Sequence, residues 1–399
     1  MSARNPVWTH TLPAALWLMA PFDILASLAM DIYLPVVPEM PRVLGTTPAV
    51  IQLTLSVYMV LLGVGQLLFG PLADRLGRRP VLLGGGALFA AASIGMAASA
   101  DVPMFITFRV LQALGASAML VATFATVRDV YAHREEGTTI YAVFSAMLAF
   151  VPALGPILGA LLAGGWGWRA IFIALGLVAS LALANAARGW HETRPSRADA
   201  SPRHVGRVLR SLRFWTYTLG FSAAMGTFFV FFSTAPRVLI ERAGYAPLAF
   251  SLAFATVALV MVVTTRWVRR GVMRWGEGGC LARGMGLLAM GAVLLVAGQW
   301  LDRPSFVTFI LPMWVSAVGI VVTVAVTANG ALKAFDDMAG LAVAVYFCVE
   351  SLLVGVAGTA VVLALPGDTA WPLIVFPLGM AVIVLLALAA LQRREQAAS

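Results

Sequence analysis

Gly70-Pro71-Leu72-Ala73-Asp74-Arg75-Leu76-Gly77-Arg78-Arg79 joins an apolar run at 49–71 to a second one at 81–99. About 20 apolar residues in a helix cross a hydrocarbon core roughly 30 Å thick. Two such runs joined by a few charged residues therefore read as a helical hairpin through a bilayer. Within the joint, Gly70 and Gly77 permit a tight reversal. Asp74 is expected near a helix N-terminus, where partial positive charge favours a carboxylate. Arg78 is expected to pair with an acid at the same end of a neighbouring span, and Asp129 is available.

The same pattern extends in both directions. Apolar runs between charged or turn-rich breaks fall at 12–37, 49–71, 81–99, 103–127, 140–163 and 168–187, then at 214–235, 247–268, 280–300, 305–328, 340–364 and 371–391. Twelve crossings nearly exhaust the 399 residues. Of these residues 61% are hydrophobic and 11% charged, against roughly 45–50% and 25% in soluble domains. The mean hydropathy is +0.91. A soluble globular enzyme, a disordered chain and a nucleic-acid-binding domain are excluded on composition. The expected fold is all-α and polytopic.

The net charge of +9 finds its explanation in placement. Arg109 lies inside a span; of the other Lys and Arg residues, Arg42, Arg169, Arg237, Arg242 and Arg303 fall on one side and the remaining 21 on the other. Basic residues mark cytoplasmic loops, so both termini are assigned to the cytoplasm and the basic surface to anionic lipid headgroups, with no nucleic acid as partner. Cys280 and Cys348 both sit in apolar runs and cannot form a disulfide scaffold. Met1 to His10 lacks the pattern of a removable signal peptide, so the first apolar run is read as a retained span. Trp8, Trp168, Trp267 and Trp371, near span ends, are read as interfacial anchors.

Arg188 to Arg213 is the longest polar stretch, and it divides the chain into residues 1–187, a loop at 188–213, and residues 214–399. Each half holds six spans. Asp74-Arg75-Leu76-Gly77-Arg78 has a degenerate echo in Met273-Arg274-Trp275-Gly276-Glu277, after the second span of the second half. Two six-helix halves are the architecture of a rocker-type transporter, with a substrate site expected at midplane between them.

The decapeptide resembles the loop signature G-x-x-x-D-R-x-G-R-R of the major facilitator superfamily at each of those positions. Arg109-Val110-Leu111-Gln112-Ala113-Leu114-Gly115 resembles the R-x-x-Q-x-x-G signature of its drug–proton antiporters. Gly155-Pro156-Ile157-Leu158-Gly159-Ala160 resembles their G-x-x-x-G-P-x-x-G-G motif, with Val151 in place of the first glycine and Ala160 in place of the last. Small residues there let helices approach closely, and Pro156 removes a backbone hydrogen bond. The first span, Ala20 to Pro35, is similar to the twelve-span subgroup. Met19 to Pro38, Ala118 to Tyr131, Ala149 to Pro156 and Gly220 to Arg237 are similar to bacterial chloramphenicol and florfenicol exporters. The resemblance implies the major facilitator fold, efflux of phenicols across a bacterial inner membrane in exchange for protons, and no cofactor. It also implies a conformational latch of Gly70, Asp74, Arg75, Gly77, Arg78 and Asp129 that closes the cytoplasmic side in the outward-open state. The chain is read as a monomer whose partners are a small-molecule drug, protons and the bilayer, without ATP or metal.

Only Asp23, Asp31, Arg109 and Glu350 are ionisable residues well inside the spans. A charge at the bilayer centre costs roughly 2.5–3.5 kcal/mol on insertion scales, so each is expected to face a cavity or a partner. His10, His133, His191 and His204 all lie at span edges, leaving proton carriage to carboxylates. At about 1.5 Å per residue, Asp31 and Arg109 both lie roughly 28 Å from the cytoplasmic side, and Asp23 roughly 16 Å. Asp31 is therefore expected to pair with Arg109, with Gln112 one turn on. Protonating Asp31 would weaken the pair and let the helices shift; a static bridge that merely orients helices is the other reading. Asp23 is expected to line the drug cavity, hydrogen-bonding a neutral phenicol and exchanging a proton. Ser27, Met30, Tyr33, Tyr58, Phe228, Phe231 and Phe347 are further cavity candidates by helical position. The remaining rings of Phe228-Phe229-Val230-Phe231-Phe232 are expected to face lipid or neighbouring helices. Glu350 is read three ways: a second protonation site, a cavity contact, or an acid bonded to nearby backbone.

Other classes find no motif. An ATP-driven pump needs G-x-x-x-x-G-K-[ST], yet Lys333 follows Leu332. No H-E-x-x-H is present, and Gly115-Ala116-Ser117-Ala118-Met119 lacks the closing glycine of a nucleophile elbow. A membrane enzyme is thus a remote alternative. A broader multidrug–proton antiporter or a metabolite symporter is the nearer one.

Overall fold

The computed structural model describes residue 8 and residues 10–131, 134–194, 205–300, 304–335 and 338–398. His133, His204, Arg197, Arg203, Asp302 and Arg303 lie outside the described residues, as does the 195–204 part of the central connection. The chain forms two compact units: Met1–Val50 with Val57–Ala200, and Ile51–Ser56 with Ser201–Ser399.

The first unit is built from α1 (Leu12–Asp31), α2 (Pro48–Leu76, apart from residues 51–56), α3 (Arg78–Ala98), α4 (Val102–Tyr131), α5 (Glu135–Trp166) and α6 (Arg169–Gly189). Thr47 starts α2 by accepting the Val50 N–H, with Pro48 in the first turn, where its missing donor costs nothing. The second unit holds α7 (Leu212–Pro236), α8 (Pro247–Gln299), α9 (Leu311–Leu332), α10 (Ala339–Leu353) and α11 (Trp371–Ala398). Short π-helical segments extend α7 over Arg237–Arg242, precede α9 over Phe306–Ile310 and continue α10 over Val354–Gly358. Ten of the described helices are long and apolar enough to cross a membrane. That ten counts α8 once, although Gly276 breaks it at φ 65° and ψ −179°, and omits α5, whose Phe150–Trp166 portion is apolar. Dividing α8 and adding α5 gives the twelve crossings of a polytopic membrane protein.

The duplication read from one degenerate echo extends to packing. Gly77 and Gly276, at equivalent positions, both have positive φ, 107° and 65°. Inside the first unit, α3 and α4 meet where a Cβ on Gly115 would lie 2.7 Å from both the Gly85 carbonyl and the Phe89 nitrogen. Inside the second, a Cβ on Gly319 would lie 2.9 Å from the Gly284 carbonyl and 3.1 Å from the Leu288 nitrogen. Gly85, Phe89 and Gly77 carry the same sequence offset to Gly284, Leu288 and Gly276. Each unit therefore closes its second hairpin with the same glycine seam.

Several expectations need correction. Gly70 and Asp74 are not in a loop. α2 continues to Leu76, so Gly70 is helical, with open space where a Cβ would project, and Asp74 occupies the last turn rather than a helix start. At 29 residues, α2 is roughly 43 Å long and overshoots the hydrocarbon core. The reversal belongs to Gly77 alone. Trp8 and Trp168 are not interfacial anchors, being 3% and 6% exposed. Trp8 packs edge-on against Trp190 and His10, and Trp168 against Phe105 and Phe172. Trp267 and Trp371 are exposed.

Candidate functional site

One group of side chains gathers where α2, α4 and α6 of the first unit end. Arg78, at the first position of α3, is 3% exposed. Its Nε donates to Asp129 Oδ2 at 2.8 Å, and its Nη1 donates to Asp74 Oδ1 at 2.6 Å, one turn back along the chain. Two carboxylates thus share one guanidinium whose fork geometry suits both. The positive φ of Gly77 turns the chain so that Arg78 points back over the end of α2. Arg75 offers its carbonyl to the Arg194 guanidinium.

Glu192, which the sequence reading passed over, completes this group. Its carboxylate accepts the backbone N–H of Arg78 at 2.8 Å and of Arg79 at 3.1 Å. It also accepts the N–H of Thr193 at 3.1 Å and of Arg194 at 2.9 Å. The first amides of α3 have no intrahelical acceptor and carry partial positive charge, so a carboxylate satisfies both needs. Glu192 holds the place expected for Asp74. The available signal was one acid among the arginines of Arg188 to Arg194. In the second unit the polarity is reversed: Glu277, equivalent to Arg78, accepts Arg213 Nη2 at 2.7 Å, and Arg213 Nη1 reaches Glu395 at 3.0 Å.

A second group surrounds α1. Arg109 on α4 is fully buried; its Nη1 donates to the Ala29 carbonyl at 3.1 Å and to Gln112 Oε1 at 2.8 Å. Its guanidinium carbon sits 4.3 Å from the Tyr58 ring centroid and 5.5 Å from that of Tyr33. Gln112 Nε2 donates onward to Ser93 Oγ at 2.9 Å, and the Tyr58 hydroxyl donates to the Ala26 carbonyl at 2.6 Å. α1, α2, α3 and α4 are therefore tied by one polar network level with residues 26–31. Asp31, 6% exposed, ends α1. α5 crosses it so closely that a Cβ on Gly155 would lie 2.6 Å from the Asp31 Cβ, and one on Gly159 would strike the Ile32 carbonyl. The structure thus brings Gly155 and Gly159 against the very turn that holds Asp31, with Pro156 on the helix between them.

Asp23 lies two turns nearer the start of α1. It is fully buried, and neither carboxyl oxygen has a hydrogen-bond partner among the described residues. Ser27 and Met30 are half-buried on the same helix. The other cavity candidates scatter. Tyr33 is packed among Phe105 and Phe172. Phe231 is stacked on Phe254 at 4.8 Å, while Phe228 is half-buried and Phe347 is 36% exposed. Phe229, Phe231 and Phe232 are all buried; Phe231 and Phe232 lie against Phe254, and Phe229 against Gly358. Glu350, 4% exposed, accepts the Ser351 hydroxyl at 3.0 Å.

Residues 22–359 match the Major Facilitator Superfamily. The chain is 51% identical over 386 residues to a chloramphenicol resistance protein of Pseudomonas aeruginosa, covering 96% of this chain and 92% of that one. It is 32% identical to the uncharacterized MFS-type transporter YdgK of Bacillus subtilis, over 65% of this chain and 66% of that one. It is 29% identical to the multidrug resistance protein MdtL of Escherichia coli, over 54% and 56%. A crystal structure of a mutant of the peptide transporter POT superposes with a TM-score of 0.77 at 13% identity, over 96% of this chain and 94% of that one, which shows a shared fold. The chain belongs to the Major Facilitator Superfamily.

Proposed function

We propose that the protein is a proton-coupled antiporter that exports phenicol antibiotics, chloramphenicol and florfenicol among them, by alternating access. It works as a monomer in a bacterial inner membrane with both termini in the cytoplasm, needs no cofactor, and takes its energy from the proton gradient. The support is the 51% identity along nearly the whole chain to a chloramphenicol resistance protein, joined to one structural observation. That observation is Asp23, fully buried with both oxygens unpartnered among the described residues. A buried polar group without a partner is costly and calls for an account.

In this reading Asp23 binds either a proton or the hydroxyl or amide of a neutral drug, and the two compete. Asp31 carries the second proton-sensitive position, at the turn held by Gly155 and Gly159. Its negative charge strengthens the hold of the Arg109 guanidinium on α1, and its protonation weakens that hold. Arg109 is kept in place by Gln112 and Ala29 whichever form Asp31 takes. In the first unit, Ser27, Met30, Tyr58 and Gln112 flank the path of the drug. The cluster of Gly77, Arg78, Asp74 and Asp129, with Glu192 beneath it, closes the cytoplasmic side while the site faces outward.

Deletion of the gene from a host, followed by susceptibility tests with phenicols, dyes and lipophilic cations, tests the cargo. Sensitivity gained to phenicols alone is the expected result. Sensitivity gained across all three groups would establish the broader multidrug antiporter, a reading favoured by the likeness to MdtL. Drug-induced proton release from purified protein tests the coupling; no release from the wild type would overturn it.

A further inference from the structure

Among the described residues of the second unit, Glu350 is the acid that lies well inside a span, and proton exchange at Asp23 and Asp31 leaves it without a role. Glu350 lies 11 residues past Ala339, at the start of α10, or roughly 17 Å along that helix. It is 4% exposed, and its one described side-chain bond is from the Ser351 hydroxyl at 3.0 Å. No Lys or Arg pairs with it among the described residues.

The groups at its level on the neighbouring helices of the second unit are uncharged. On its own helix Tyr346 is one turn away and stacks on Phe221 of α7 at 4.9 Å, which brings α7 against α10 at that level. Next to Phe221, Ser222 carries a buried hydroxyl with no partner among the described residues, as does Thr218 one turn earlier. On α9, which runs the other way, the same depth falls near Ile320 and Thr323. Arg207, Arg213, Glu277, Lys333 and Glu395 sit at the far end of the unit, Arg213 paired with both Glu277 and Glu395. An ionised carboxylate in such surroundings is stranded, whereas a carboxylic acid is neutral and can donate one bond.

The helix around Glu350 is also irregular. The Val354 N–H is shared between the Glu350 and Ser351 carbonyls, and the backbone then widens into the π-helical segment Val354–Gly358. Gly358 packs on Phe229, whose ring would lie 2.9 Å from an added Cβ. Single π turns inside α-helices recur at functional sites, because they let one stretch of helix rotate against the next.

We propose that Glu350 is a further proton-binding carboxylate of the transport cycle, separate from Asp23 and Asp31 and housed entirely in the second unit. It holds its proton in the conformation described here. When the π segment rotates the side chain into contact with water, the O–H bond breaks, the proton leaves to solvent and the carboxylate remains. Rebinding of a proton restores the buried state. The inference rests on the proton-coupled reading, and its test separates the two.

The purified protein is treated with dicyclohexylcarbodiimide, a hydrophobic reagent for protonated carboxyls, and the modified residues are mapped by mass spectrometry with and without chloramphenicol. Glu350 is expected to be modified at neutral pH and protected by the drug. In parallel, chloramphenicol-induced proton release is measured for the wild type, Asp23→Asn and Glu350→Gln. Glu350→Gln is expected to release fewer protons than the wild type, and Asp23→Asn to retain a residual release that falls further when Glu350→Gln is added. Equal release from Glu350→Gln and the wild type would overturn the inference and leave antiport intact. No release from the wild type would overturn antiport, and the labelling then decides Glu350 alone. Absence of label on Glu350 at acidic and neutral pH, in a sample where Asp23 is labelled, also overturns it. Should Glu350→Gln fail to fold, the wild-type labelling carries the test.

Discussion

The Glu192 carboxylate accepts the backbone N–H of Arg78 at 2.8 Å across 114 residues of chain, so the end of α6 holds down the start of α3. The same carboxylate would meet any Cβ placed on Gly77, 2.7 Å from its Cδ. The turn and its acid are fitted to each other. Glu192→Ala leaves the first amides of α3 without this acceptor, and a lost helix cap typically costs about 1 kcal/mol. A lower melting temperature and weaker export are expected, with Glu192→Gln intermediate in both. Unchanged melting and transport in the alanine variant would remove Glu192 from the closing cluster.

Arg78 is buried between Asp74 and Asp129, so removing one acid leaves part of a charge uncompensated. Breaking a buried pair from one side costs about 3–5 kcal/mol. Asp74 is 40% exposed and Asp129 6%. Asp129→Asn is therefore expected to lower thermal stability more than Asp74→Asn does, and to raise the labelling of cytoplasm-facing cysteines placed in the transport path. Equal effects of the two variants would show that burial does not rank these partners.

Asp23→Asn separates structure from coupling. The acid has no partner to lose among the described residues, and its amide is neutral and nearly the same size. Melting temperature is expected to hold or rise, while drug-induced proton release falls and chloramphenicol export drops at least about tenfold, or roughly 1.4 kcal/mol of coupling. A destabilised variant that still exports would assign Asp23 to packing.

Asp31→Asn is expected to insert normally and to lose export driven by an imposed acid gradient. Measured in vesicles, undiminished uphill export would make the contacts of α1 with α4 a static arrangement.

Gly155 and Gly159 test how closely α5 must approach that turn. A methyl on Gly159 would collide with the Ile32 carbonyl, whereas one on Gly164 meets nothing within 4 Å. Gly159→Ala is expected to destabilise by about 1–3 kcal/mol, the usual range for overpacking, and Gly164→Ala to be neutral. Thermal unfolding of both in detergent measures the difference.

How much of this was legible in the sequence depends on the range of the physics involved. The twelve apolar runs were readable because crossing a hydrocarbon layer demands an unbroken apolar length, a property of neighbouring residues along one chain. The break at Gly276 was likewise marked by its likeness to Gly77. Helix ends were less readable: Gly70-Pro71 reads as a break, yet α2 runs through Pro71 to Leu76 and carries Asp74 with it. Of the partnerships between helices, the pairing of Arg78 with Asp129 was readable, because both charges stand at the same end of neighbouring spans; the others were not. Which acid caps α3, which carbonyl takes the Arg109 guanidinium and which turn Gly155 presses against all depend on how each helix is rotated about its own axis. That rotation is chosen by the packing of the unit as a whole, and no single stretch of residues encodes it.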